Sequence, residues 1–589
     1  MNSSRPSFAS RLSTWLDELR QSETQLTLLL SLVVGLLVGL VTVAFILITG
    51  RLAARMYPAG GAGWRRIVVP VFGSLFTGFL LARYFPFARG SGIPQTKFAL
   101  VVNDGRISLR TILGKLLCCS TSLASGIALG REGPAVQIGA GVASVIARGS
   151  GLSGEQVKSL VPVGCSAALA AAFNTPIAAV MFTLEEIMGD LHATVLGTAV
   201  LSSAASWMVL HFFLGDDPLF HVPGYRLVHP AELGVYAVLG VVGGLGSVLF
   251  VRLLLFLREK FLRLPSGTVW LQPVAGGLMV AFLGYFWPDV MGVGYGYVDR
   301  ILNGDVVLKM VVLLGVLKIV ATATCYASGN AGGIFGPSLF IGAMMGAATG
   351  GVAHKLFPGI TAGPGAYALV GMGTAFAGII RTPFTSVIMI FELTRDYTII
   401  VPLMISNTIA YFISQKLQRE TIYDALAHQD GVHLPSAHSR ARSGKGTAAL
   451  AMRTAPLILS AHATVQAALD QVKDSEFDTW PIAEKGDFRG MIRATDLTMA
   501  IAEGAGGTEL GDLLYKLAGV NQSLTDFPHI HRDHSLHLAL ERMGSSGLHV
   551  LPVVNRANVH DLLGIVVLSD VLKAYGLNRS PVAGRSEPA

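Results

Sequence analysis

The chain has 589 residues, of which 52% are hydrophobic and only 14% charged, with a formal charge of +7. It is too long for one ordinary domain, and its charged fraction lies far below the roughly 25% of soluble proteins. A wholly soluble protein is therefore excluded in favour of a membrane protein with an attached domain. The modest positive charge, without a basic stripe interleaved with aromatics, excludes a nucleic-acid partner.

From the N-terminus, residues 1–25 mix Arg5, Arg11 and Arg20 with Asp17, Glu18 and Glu23. Leu26 to Ile48 then runs without a charge, long enough to cross a hydrocarbon core that needs roughly 20 residues. It lacks the short core and small-residue cleavage site of a signal peptide, so a retained span is predicted. Arg51, Arg55, Arg65 and Arg66 follow, and by charge count alone they favour an external N-terminus.

Further apolar runs lie near 67–83, 107–128, 134–147, 159–184, 193–213, 231–257, 268–287, 308–325, 338–353, 366–380, 384–392 and 398–416. Several are too short to span, which predicts half-helices meeting inside the bilayer, where protein or a wet cavity surrounds their ends. Gly35/Gly39, Gly240/Gly244 and Gly342/Gly346/Gly350 have the spacing that lets helix backbones approach closely. Cys118, Cys119, Cys165 and Cys325 fall in apolar runs as small hydrophobes, with no disulfide or metal spacing.

Two motifs recur within these runs. Gly130-Arg131-Glu132-Gly133-Pro134 returns as Gly333-Ile334-Phe335-Gly336-Pro337, offset by 203 residues, and each is followed by an Ile-Gly at the same distance. Asn174-Thr175-Pro176 through Leu184-Glu185 returns as Arg381-Thr382-Pro383 through Phe391-Glu392, offset by 207. Repeats of Gly/Pro-interrupted segments in an apolar chain mark a transporter whose site lies where two halves meet.

Hydrophobic density falls after residue 427, and 428–447 reads as a linker rich in Ser, Ala, Gly and basic residues. Beyond it, Thr479 to Leu497 and His549 to Val571 share a Pro-plus-apolar strand, a turn, a Gly-initiated strand and a Ser/Thr-Asp opening a helix. These segments resemble tandem CBS domains, which implies a cytoplasmic module able to take an adenine nucleotide, with Asp496 and Asp570 at the ribose. An Asp in that place is also an ordinary helix cap, and both possibilities stand. Ten of the fifteen histidines lie from His428 onward, including His529, His531, His534 and His537; a solvated face is expected there rather than a metal site.

Gly90-Ser91-Gly92-Ile93-Pro94, Gly130 to Pro134, Gly333 to Pro337 and Tyr423, in this order and at these separations, resemble the four anion-site signatures of the CLC chloride channel and transporter family over about residues 25–427. Elementary chemistry points the same way. Glycine lets backbone approach an ion, proline suits a first helical turn, and each helix N-terminus offers unpaired N–H groups with about +0.5 charge. Several such ends make an anion site without lysine or arginine, selective yet able to release its ion.

The resemblance implies that the hydroxyls of Ser91 and Tyr423 and the N–H groups of Ile334 and Phe335 hold the ion. Ser91 favours chloride, since related nitrate-preferring members carry proline there. Taken singly, Ser91 could be a helix cap and Tyr423 an interfacial aromatic. Glu132 falls at the family's gating glutamate; by itself it could merely complement a helix dipole, but an ionisable residue inside a membrane is functional by default. Glu186 falls at the second glutamate, which exchanges protons with the cytoplasm in antiporters and which channels usually lack; the alternative is a solvated helix end. Glu185 is matched by Glu392 and is expected to be structural.

The chain is thus expected to be an α-helical polytopic membrane protein of the CLC fold, prokaryotic type. It would have two inverted repeats of broken helices in 26–427 and an α/β CBS pair at 448–505 and 521–577, with a tail at 578–589. The expected function is chloride/proton antiport by a homodimer in the cell inner (plasma) membrane, with the N-terminal segment and CBS pair cytoplasmic. Its partners would be chloride, protons and the lipid bilayer, and no cofactor would be required beyond an adenine nucleotide at the CBS pair. The alternatives are a passive voltage- or pH-gated chloride channel and a CBS-based nucleotide sensor. An intramembrane hydrolase finds neither HExxH nor a Gly-x-Ser-x-Gly turn in context, so no enzyme is expected.

Overall fold

The charge-free stretch after Leu26 becomes α1 (Glu23–Met56), longer than the apolar run because it continues through Arg51 and Arg55, cations that suit a helix C-terminus. The computed structural model describes residues 23–574 apart from 59, 190–194, 217–218, 226, 306, 432–446, 456, 474, 476, 485–486, 519–527 and 557. Most of the N-terminal segment and linker, the start of the second CBS segment and the tail lie outside the described residues. The chain forms two units, residues 1–434 and 435–589.

In the first unit α1 is followed by α2 (Arg65–Arg83), α3 (Ile93–Val102), α4 (Leu109–Ala124), α5 (Glu132–Gly149), α6 (Gly154–Phe173), α7 (Pro176–Phe182) and α8 (Leu196–Leu214). The series then repeats as α9 (Glu232–Leu262), α10 (Pro273–Phe286), α11 (Tyr295–Leu302), α12 (Leu308–Ala327), α13 (Phe335–Leu356), α14 (Pro364–Ile379), α15 (Pro383–Thr394) and α16 (Ile400–Leu417), and α17 (Ile422–Gln429) closes the unit. Among the described residues, eight helical segments are long and apolar enough to cross a membrane. By contrast α3, α7, α11 and α15 have only 7 to 12 residues, the lengths expected of half-helices.

Each repeat is closed by the same contacts. A Cβ on Gly139 of α5 would stand 2.4 Å from the carbonyl oxygen of Gly164 on α6, and one on Gly342 of α13 would stand 2.2 Å from that of Gly371 on α14. Gly35 and Gly39 of α1 abut Ser202 and Ser206 on α8, and Gly240 and Gly244 of α9 abut Ser406 and Ala410 on α16. The two Thr-Pro turns also agree in backbone. Asn174 and Arg381 both take a left-handed conformation, φ 60° and 69°. Such a conformation is costly for arginine, but its guanidinium is held by the Ser414, Gln418 and Arg419 carbonyls.

The halves then cap each other. Glu392 at the end of α15 accepts the N–H groups of Ile177 and Ala178 at 2.9 and 2.7 Å, in the first turn of α7. Glu185 accepts those of Phe384 and Thr385 at 3.4 and 2.9 Å, in the first turn of α15. Each carboxylate serves as an N-terminal cap for the opposite half.

The second unit contains β1 (Met452–Arg453), β2 (Leu459–Ser460), α18 (Val465–Val472), β3 (Thr479–Glu484), β4 (Asp487–Arg493), α19 (Ala494–Ala502), α20 (Leu510–Ala518), α21 (Leu536–Ser546), β5 (Val550–Val554), β6 (Leu562–Val567) and α22 (Leu568–Ala574). Its two sheets have the orders β2-β3-β4 and β1-β6-β5. Both contain an antiparallel hairpin, with Pro481 opposite Met491 and Pro552 opposite Ile565. The short β1 precedes the first CBS motif yet pairs with β6 of the second. Trp480, Ile482, Ile492 and Leu497 fill one core, and Leu551, Val553, Val566 and Val571 the other.

Candidate functional site

The two Gly-framed turns meet face to face. Gly130 and Gly333 exchange both backbone hydrogen bonds at 2.7 Å, an antiparallel bridge that brings the N-termini of α5 and α13 together. Glu132 in the first turn of α5 is fully buried. The Tyr295 hydroxyl donates to its Oε1 at 2.5 Å, and the Gly336 N–H donates to its Oε2 at 3.3 Å. The carboxylate thus reaches into the positive end of α13, where Ile334 and Phe335 also lie. Phe335, at the position matching Glu132, packs its ring against Phe173, Phe182 and Phe376 at centroid distances of 4.8, 5.2 and 4.4 Å.

Ser91 is brought up from α3. Gly92 adopts φ 101°, and a Cβ there would stand 2.7 Å from the Gly133 carbonyl oxygen, so only glycine lets this turn lie against α5. The α3 entrance is capped by Gln95, which accepts the Gly92 N–H at 2.9 Å. Ser91 therefore does not serve as the cap. Its Oγ and the Tyr423 hydroxyl of α17 are buried and have no hydrogen-bond partner among the described residues. The Tyr326 phenol lies close beside Ser91. Lys115 supports the turn from behind through the carbonyls of Ala88 and Gly90, at 2.9 and 2.8 Å. Lys318 does the same for Val290 and Gly292, at 2.9 and 2.5 Å.

Glu186 sits in a π-helical turn, Thr183–Met188, that continues α7; such turns often occur at functional sites. Here the turn sends Glu185 to α15 and Glu186 inward. Glu186 is not a solvated helix end: its side chain is only 6% exposed and pairs with Lys97 Nζ at 2.8 Å. The same ammonium meets Asp424 at 2.9 Å, next to Tyr423 on α17.

The description of the voltage gated chloride channel matches residues 72–415. The chain belongs to this voltage gated chloride channel family. It is 33% identical to a ClcB-like protein of Ralstonia nicotianae, named as a chloride channel, over 64% of this chain and 89% of that one. It is 31% identical to the H(+)/Cl(-) exchange transporter ClcA of Vibrio cholerae, over 68% of this chain and 89% of that one. Its fold is similar to that of a slow cyanobacterial Cl-/H+ antiporter, with TM-score 0.64 and 25% identity, covering 69% of this chain and 97% of that one. The CBS domain description matches 448–503 and 522–577. The protein is therefore a multi-pass, mostly helical membrane protein of the voltage gated chloride channel family with two CBS domains.

In the CBS unit, Asp496 accepts the Arg493 N–H at 3.2 Å and its guanidinium at 3.0 Å, a first-turn cap on α19. Asp570 pairs with Arg453 at 2.8 Å. The His529, His531 and His534 rings meet edge to face in sequence at centroid distances of 5.2 and 4.7 Å, and the His537 side chain lies outside the described ones. Among the described residues no group of three or more His, Cys, Asp or Glu could hold a metal ion.

Sequence reasoning missed Tyr295, Lys97, Lys115, Lys318 and Asp424. A cue existed for Tyr295: Gly292-Val293-Gly294-Tyr295-Gly296 stands 202 residues after the Gly90 turn, but without its serine and proline.

Proposed function

We propose that this chain exchanges chloride for protons across a membrane. The observation that carries this reading is the position of Glu132: a buried carboxylate bonded to the N-terminus of α13, the same helix end that would attract an anion. Ionised, Glu132 accepts hydrogen bonds from Tyr295 and Gly336 and competes with chloride. Protonated, it becomes a donor, loses its attraction to the positive helix end and yields to the anion. Its protonation is thereby tied to anion passage.

The anion site is assigned to Ser91, Tyr423 and the N–H groups of Ile334 and Phe335. Two orphaned hydroxyls support it, since a buried unsatisfied hydroxyl costs about 1–3 kcal/mol and a chloride accepting from both removes that cost. Glu186 is assigned the inner proton exchange, supported by its burial beside α17. We further assign the 26–427 portion to transport, as a homodimer with one pathway per subunit in the cell inner membrane. The N-terminus and CBS pair then face the cytoplasm, against the charge count around α1. The CBS pair would regulate through an adenine nucleotide at Asp496 and Asp570, which requires Arg493 and Arg453 to release their carboxylates.

The test is proton movement in proteoliposomes driven by a chloride gradient alone, with the membrane potential clamped. Uphill proton flux that Glu132→Gln and Glu186→Gln each abolish, with chloride flux retained, is the expected result. Chloride flux without proton movement in the unaltered protein would overturn it and leave a passive channel, the reading favoured by the name of the Ralstonia relative.

A further inference from the structure

Three charged residues of the membrane unit do not follow the repeat. Lys97 is matched by Asp299, Glu186 by Leu393, and Asp424 stands on α17, which follows the second repeat. All three converge: Lys97 Nζ lies 2.8 Å from Glu186 and 2.9 Å from Asp424, with side chains 8%, 6% and 15% exposed. Lys115 and Lys318 are buried as well but bond to backbone carbonyls.

We propose that Lys97 is the positioning residue of the inner proton site, a single ammonium shared by Glu186 and Asp424 that sets the site to hold one exchangeable proton and links that proton to the helix bearing Tyr423. This rests on the antiport assignment of Glu186. With both acids ionised the triad carries one net negative charge, which a buried site resists. One proton makes it neutral, and a second would leave it net positive. When Glu186 takes the proton, the ammonium is left to Asp424, so the change is felt at α17 beside the anion site.

The surrounding charges are otherwise engaged. Glu185 caps α15, and Arg381 is fixed by carbonyls at the α16 end, from where its guanidinium charge still reaches Asp424 and Glu186 without bonding to either. On the helices packed around the triad, Arg148 bonds to the Ser144 and Ile107 carbonyls, Lys158 pairs with Asp104, and Arg258 pairs with Asp430. Tyr423 is the phenol nearest the triad on α17, with Glu186 and Glu132 both in its field.

The test is chloride-driven proton flux at symmetric pH between about 4.5 and 8, alongside chloride flux. Lys97→Met removes the counter-ion and is expected to move the half-point of the proton flux alkaline by about one unit or more. Asp424→Asn leaves a neutral Lys97–Glu186 pair and is expected to move it acid. Lys97→Arg is expected to restore the original half-point. Proton and chloride fluxes that fall together with an unmoved half-point would make Lys97 only a latch on α17 and overturn the inference. If Lys97→Met fails to fold, Asp424→Asn decides alone. An unaltered protein without proton coupling, or a Glu186→Gln variant that keeps it, would instead overturn the underlying assignment of Glu186.

Discussion

At position 132 the first half of the membrane unit buries a glutamate; at the matched position 335 the second half buries a phenylalanine in a cage of rings. The same division recurs. Gly139 and Gly342, Lys115 and Lys318, and Glu185 and Glu392 make equivalent contacts in their two halves. Ser91 is instead matched by Val293, Ile93 by Tyr295, Lys97 by Asp299 and Glu186 by Leu393. The residues that obey the repeat build the frame, and those that depart from it bring hydroxyls and charges to the place where the halves meet. A repeat therefore separates scaffold from chemistry within one chain.

Breaking the shared frame has the largest expected effect. Gly342→Val forces a side chain onto the Gly371 carbonyl and is expected to cost about 3 kcal/mol or more, read as loss of the monodisperse peak in size-exclusion chromatography. Gly139→Val should do the same, and tolerance of either would mean the two crossings are not equivalent. Next come the exchanged caps. Glu392→Ala and Glu185→Ala each leave two helix N–H groups without an acceptor and are expected to cost about 1–3 kcal/mol. Melting temperatures should fall by similar amounts, and a fall confined to one variant would break the symmetry.

Substitution of Tyr295, at an unmatched position, should move transport more than stability. Tyr295→Phe removes one hydrogen bond from Glu132 and is expected to raise chloride efflux by about tenfold, as loss of roughly 1.5 kcal/mol of gate stabilisation implies. Unaltered efflux would show that this bond does not hold the gate.

The smallest effect lies in the CBS unit, which has no part in the repeat. Hydrogen bonds to Glu509 and Glu484 push the His462 midpoint above its ordinary 6.5, while burial and the neighbouring His531 push that of His534 down. The stabilising contribution of His462 is then fully present below its unfolded midpoint and fades as pH rises through the raised folded one. Ring titration by NMR in histidine-labelled protein should place His462 above His534, with Glu509→Gln lowering the former; coincident midpoints would refute the contacts.

Much of the frame was legible in the sequence because its signals are local. Gly-x-x-Gly-Pro and Thr-Pro are turn chemistry, and their recurrence at one offset announces two halves. Glu132, Glu186, Ser91 and Tyr423 stood out through those motifs and the family resemblance. What stayed hidden depends on convergence across long separations. Nothing beside Lys97 indicates that its ammonium will meet Asp424, 327 residues away. The Glu185 and Glu392 caps cross 200 and 215 residues. The pairing of β1 with the second CBS sheet involves only two residues, too few for an alternating pattern.

The most direct test of the central claim, that Glu132 and a transported anion compete for the α13 N-terminus, is anomalous diffraction from crystals grown in bromide, comparing the unaltered protein with Glu132→Gln. One bromide peak is expected beside Ser91 and Tyr423 in both proteins, and a second at the carboxylate position in Glu132→Gln alone. Absence of bromide beside Ser91 and Tyr423, or the same peaks in both proteins, would contradict it.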